Sequence, residues 1–147
     1  MGLPRELMDR ATAAVLAGDL DALREIYASD VVATTPDEGE LHGIDQFIKW
    51  NQAFVGSFSD RQYIAMKEHE TADCAIDEGE FVGTHTQPLE MPDGQAIPPT
   101  GRQVRMRAAD VATVREGRIV RHDFYFDQLD MLVQLGLLEV PTGISTT

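Results

Sequence analysis

RQVRMRAADVATVREGRIVRHDFYFD, residues 102–127, reads as two strands joined by one tight turn. Apolar and polar residues alternate with a period near two on both sides of Glu116-Gly117, the pattern of a β-hairpin. If Val114 faces Ile119, Asp110 stands opposite Asp123. One face then carries Val104, Met106, Ala108, Asp110 and Ala112 with Ile119, Arg121, Asp123 and Tyr125. The other carries Arg105, Arg107, Val111 and Thr113 with His122, Phe124 and Phe126.

Two further strand-like runs precede the hairpin, near 61–70 and 73–86. Residues 87–101, QPLEMPDGQAIPPTG, hold four prolines and two glycines and read as a loop. Upstream the period lengthens to that of helices. Pro4, Leu7, Met8, Ala11, Ala14 and Val15 mark an amphipathic helix that stops at Gly18. Asp19 caps a second helix carrying Leu20, Leu23, Ile26 and Tyr27. A β-branched strand over 28–35 ends at Pro36, and the acidic PDEGE stretch that follows reads as a loop. A third helix from Gly43 carries Ile44, Phe47, Ile48, Trp50, Phe54 and Val55. Asp127 opens a short final helix that Gly136 stops. Helices followed by a run of antiparallel strands predict one α+β domain, with three N-terminal helices packed on a curved, mostly antiparallel sheet. The tail from about 139 to 147 is expected to be loosely ordered.

The chain has 147 residues, enough for one core. Its net charge of −13 opposes binding to nucleic acid and to anionic membranes. No run reaches the ~18 apolar residues of a membrane span, and the start MGLPRELMDR has no apolar leader segment. The one cysteine, Cys74, fits a reducing compartment, so a cytoplasmic protein is expected. Six of the twelve basic residues, all arginines, fall between 102 and 121. They read as a solvated strand face or as an anion or dimer contact. The four histidines show no short metal spacing, so no metal site is expected, and without a P-loop or a GxGxxG run no nucleotide cofactor is expected either.

The chemistry-bearing residues lie on the hairpin. Two carboxylates ~5 Å apart on an apolar face cannot both ionise cheaply, so Asp110 and Asp123 form a candidate acid/base pair. Arg121, diagonal to both, could instead neutralise them in a structural network. Asp127 sits at the strand end, where it can face a pocket or cap the last helix. His85 reads as pocket or surface, and His122, between apolar neighbours, as a satisfied core or interface histidine. Trp50 and Phe54 read as core or as ligand platform. With Met106, Arg121, Asp123 and Tyr125 they complete the candidate substrate-binding set.

Three segments, GTHTQPL (83–89), PPTGRQV (98–104) and VREGRIVRHDFYFDQLDMLVQLGLL (114–138), together resemble the SnoaL-like polyketide cyclases and ester cyclases. That group has the nuclear-transport-factor-two-like, cystatin-like α+β cone. The resemblance implies intramolecular aldol ring closure on an apolar, enolisable substrate without metal or organic cofactor. It makes Asp127 the general acid/base, with Asp110 and His85 in support, and it implies a homodimer. The Phe124/Phe126 side of the sheet, with its arginines, is the expected contact. The same cone also serves as a non-catalytic binding or dimerisation domain. A third possibility, epoxide hydrolysis, would need Asp110, Arg121 and Asp123 around one water.

Overall fold

The structure is a computed structural model that describes residues 2–91, 93–139, 141 and 143. Helix α1 (Leu3–Ala17) buries the stripe Leu7, Met8, Ala11 and Ala14 and ends at Gly18, whose φ of 70° needs no side chain. Its first turn is tied down from outside. The Glu70 carboxylate accepts the backbone N–H groups of Gly2 (3.0 Å) and Arg5 (2.9 Å), satisfying two donors that a helix start leaves unpaired. These N–H groups hold the Glu70 carboxyl below its ordinary pKa, Gly2 more than Arg5. The tether is therefore complete above the ordinary glutamate range and is lost as pH falls through the lowered folded value. Glu70→Gln is expected to speed amide hydrogen exchange at Arg5 near neutrality. Unchanged exchange there would show that the carboxylate does not hold this turn.

Helix α2 (Leu20–Ile26) starts where Asp19 accepts from the Ala22 N–H, as expected. It runs directly into β1 (Tyr27–Thr35), which pairs with β2 (Gly39–His42). The PDEGE stretch thus enters a short strand rather than a loop throughout. Helix α3 (Ile44–Ala53) buries Ile44, Phe47, Ile48 and Trp50. Four strands follow: β3 (Phe58–Glu70), β4 (Cys74–His85), β7 (Gln103–Arg115) and β8 (Arg118–Phe126). Between them the proline-rich stretch folds into a two-stranded hairpin, β5 (Leu89–Glu90) and β6 (Ala96–Ile97), because Leu89 is drawn fully into the core. Helix α4 (Gln128–Gln134) begins on the Asp127 side chain, which accepts from the Asp130 N–H. Most of the 139–147 tail lies outside the described residues.

The sheet runs β2-β1-β8-β7-β4-β3, antiparallel except between β1 and β8, and the helices α1–α3 cover its inner face. The α+β cone is as expected. Irregular registers in the β3/β4, β7/β8 and β1/β8 pairs bend the sheet around the helices. Beyond the end of β8 the Gln134 amide substitutes for a strand, accepting the Arg105 N–H and donating to the Arg105 carbonyl. No helix among the described residues is long and apolar enough to cross a membrane.

Candidate active site

The β7/β8 hairpin turns as expected, with φ positive at both Glu116 and Gly117 and Val114 opposite Ile119. One step later the register changes. Thr113 faces Arg121, so Val120 is an unpaired extra residue in β8. Every β8 side chain beyond it is reversed relative to the uniform register. Asp110 therefore faces Phe124, not Asp123, and the expected Asp110–Asp123 pair does not exist. Asp123 and Arg121 turn to the outer face, where Arg121 clamps Asp123 through two contacts of 3.0 Å and Thr34 Oγ1 donates to it at 2.7 Å. An Asp110–Arg121–Asp123 set around one water is excluded by the same reversal. Phe124 and Phe126 pack inward against Trp50 and Phe54 and cannot form an outer dimer face.

The reversal brings His122 inside, on the side of Asp110. The ring is 2% exposed. Its Nε2 lies 2.6 Å from Asp110 Oδ2, and its Nδ1 lies 2.7 Å from the Tyr27 hydroxyl. Burial first, and then the Asp110 charge, push the Tyr27 phenol well above its usual pKa. The phenol stays protonated and donates to Nδ1, which assigns the Nε2–H to Asp110. Asp110 Oδ1 accepts no hydrogen bond from any described residue. Phe124 stacks on the imidazole at 4.0 Å between centroids, which fixes the ring plane.

These groups border a cavity of about 100 Å³ between α1, α3 and the sheet. Trp50, Phe54, Phe81, Met106 and Phe126 supply apolar walls, and Thr12 and Leu16 of α1 lie across from them. Tyr63 also borders it; its hydroxyl donates to the Ala108 carbonyl at 2.9 Å, and burial, then Asp110, raise its pKa. Among the described residues no lysine or arginine borders the cavity. A carboxylate with one open oxygen, backed by an imidazole in an apolar enclosure, can remove a proton from a bound carbon acid.

Of the residues expected from sequence, the structure brings Asp110, Trp50, Phe54, Met106 and Tyr125 to this cavity. Tyr125 stands on the outer face, 60% exposed, and borders the cavity only at its edge. Asp127 borders a separate outer groove with Arg107 and Glu78, while its side chain caps α4. His85 lies away from the cavity, fully buried, with Nδ1 accepting the Thr100 N–H at 3.1 Å. It fastens the end of the 86–102 segment to β4. Burial lowers its pKa, against a smaller opposing pull from the Gln87 backbone. The neutral ring therefore stabilises the fold fully above the unfolded value of about 6.5, and that stability is lost as pH falls toward the folded value. His85→Gln should flatten the drop of Tm between pH 7 and pH 5; an unchanged slope would assign that drop to another group.

Sequence reasoning missed Tyr27, His122 and Asp77 as site groups. Asp77 could have been found, because it alternates in phase with Ala75, Phe81 and His85, all on the inner face of β4. Tyr27 carried no such signal, since it reads as part of the second helix and only the tertiary fold sets it at the start of β1, beside β8. Among the described residues no three His, Cys, Asp or Glu side chains are grouped to hold a metal ion.

The profile of the SnoaL-like polyketide cyclase family matches residues 5–135. No curated protein matches the chain significantly. Among solved structures, IdmH of Streptomyces antibioticus, a proposed polyketide cyclase, is 29% identical with a TM-score of 0.74, covering 90% of this chain and 98% of its own. A proposed SnoaL-like polyketide cyclase from a Jannaschia species reaches a TM-score of 0.81 at 17% identity, covering 93% and 94%. A Catenulispora acidiphila protein with a ketosteroid isomerase-like fold, solved with trimethylamine, gives 0.70 at 18% identity, covering 92% and 98%. The last two likenesses concern the fold alone.

Proposed function

We propose that this chain, which belongs to the SnoaL-like polyketide cyclase family, is a cofactor-independent cyclase or isomerase in which Asp110 is the general base. The observation that carries this reading is the Tyr27–His122–Asp110 chain at the wall of an otherwise apolar cavity. In ring closure, Asp110 Oδ1 takes the proton from the carbon next to a carbonyl. The resulting enolate carbon attacks a second carbonyl of the same molecule, forming the carbon–carbon bond. The new alkoxide then takes the proton back from Asp110, so atoms and charge balance. The Nε2–H of His122 holds one carboxylate oxygen of Asp110 and leaves the other to take the proton.

The cavity is well below the ~300 Å³ of common ligand sites, so it fits the reacting end of a substrate rather than several fused rings. The apolar walls of Trp50, Phe54, Phe81, Met106 and Phe126, with the Asp110 carboxyl among them, favour a neutral substrate over a carboxylate or phosphate. The test is proton exchange: small cyclic ketones incubated in heavy water with the protein and followed by NMR. Exchange next to the carbonyl above the buffer rate is expected for at least one ketone that fits. No acceleration across a panel of graded size would favour the non-catalytic binding domain. We further propose that a second copy covers the outer sheet face around Tyr125, and a monomer in sedimentation at micromolar concentration would contradict it.

A further inference from the structure

Asp110 has a carboxylate neighbour after all, on the other side from the one its own hairpin suggested. Asp77 of β4 stands directly opposite it across the β4/β7 ladder. Opposed residues of an antiparallel pair share one face with Cβ atoms ~5 Å apart, and Asp77 is 3% exposed. Two buried carboxylates at this spacing resist double ionisation and tend to share one proton. A proton settling on Asp110 would remove the base.

Helix α1 supplies what opposes this. Arg5, 6% exposed, places Nη1 at 2.7 Å from Asp77 Oδ1 and Nη2 at 3.0 Å from Asp77 Oδ2. Asp9 at 2.7 Å and Glu68 at 3.3 Å hold the other edge of the same guanidinium. Facing Asp110 itself are His122 from β8, Tyr27 from β1, Tyr63 from β3 and Asp77 from β4. On the Asp77 side, Arg5 is the cation that reaches the pair.

We propose that Arg5 is a positioning residue: by serving as the counter-ion of Asp77 it keeps both carboxylates of the Asp77–Asp110 pair charged, and so keeps Asp110 open to accept a proton. This rests on Asp110 being the base. Even with Arg5 in place Asp77 is held above its ordinary pKa: burial pushes it upward most, the Arg5 hydrogen bond pulls it down, and the Asp110 charge pushes it up again.

The experiment needs no substrate. Protein with ¹³C-labelled aspartate carboxyls is titrated by NMR, with the pair's two resonances assigned by Asp77→Asn and Asp110→Asn. In Arg5→Met the pair should take up its first proton about one pH unit or more higher than in the parent. Arg5→Lys, which keeps the charge, should remain near the parent. In Arg5→Met/Asp77→Asn, with neither charge of the buried Arg5–Asp77 pair left behind, the remaining Asp110 signal should lose the upward displacement. An Arg5→Met titration that overlays the parent would overturn the proposal. If Arg5→Met does not fold, Arg5→Gln takes its place, removing the charge while keeping a donor for Asp77. There the pair must again take up its first proton at higher pH than in the parent, and no change is the overturning result. A displaced titration in a protein that exchanges no ketone protons would sustain the Arg5 role and refute the assigned reaction, so the two failures are separable.

Discussion

Asp110→Asn should lower ketone proton exchange about 10²- to 10⁴-fold while leaving the fold in place, the range a positioned acid/base group contributes. Asparagine matches the carboxylate in shape, and its carbonyl can still accept the Nε2–H of His122. What it cannot do is take a proton from carbon. Circular dichroism and Tm should therefore stay close to the parent while kcat collapses. Two companion variants sharpen the assignment. His122→Phe removes the support of the carboxylate but not the base, so it should cost less in kcat than Asp110→Asn. Asp127→Asn should leave exchange nearly unchanged, because asparagine caps helices about as well as aspartate and the residue lies outside the cavity. A collapse in Asp127→Asn, with Asp110→Asn active, would move the base to the strand end.

Gly79→Ala should be the most damaging small substitution in the sheet. A Cβ at this position would lie 2.1 Å from the Ile64 carbonyl oxygen and 3.0 Å from its carbon, both backbone atoms of the neighbouring strand. Backbone cannot swing aside as a side-chain end can, so β3 and β4 would have to separate where their register already shifts. A cost of about 3 kcal/mol or more is expected, a large share of the ~5–15 kcal/mol that holds an ordinary domain together. Gly117→Ala serves as the control. It has open space around it and a φ of 78°, so it should cost only about 1 kcal/mol. Urea unfolding read by midpoint at constant slope would distinguish the two. Equal midpoints would mean that β3 and β4 relax around the extra methyl.

The cone was legible in the sequence because its signals are local. The helix stop at Gly18, the caps at Asp19 and Asp127 and the Glu116-Gly117 turn each declare themselves within four residues, and each stands where expected. The site was not, because its reading hangs on one unpaired residue. A uniform register carried from Val114–Ile119 put the wrong half of β8 inside. The correction was nonetheless written in β8. Arg121 and Asp123 alternate with His122, Phe124 and Phe126, so the aromatic set belongs inward. Ile119 also belongs inward, and an odd spacing between Ile119 and His122 can be met only by a bulge. The Arg5–Asp77 pairing spans 72 residues and could not be read from spacing at all.

Val120 is nonetheless an added residue that the interior does not depend on. Loss of that single codon would leave Arg121 opposite Thr113 and Phe124 opposite Asp110, now in an unbroken ladder, with His122, Phe124 and Phe126 still inward. The extra residue sets the local bend of the strand rather than which side chains enter the chamber. A relative one residue shorter at this point would keep the same carboxylate and imidazole on a straighter β8, so the length of this strand reports the curvature of the cone and not its chemistry.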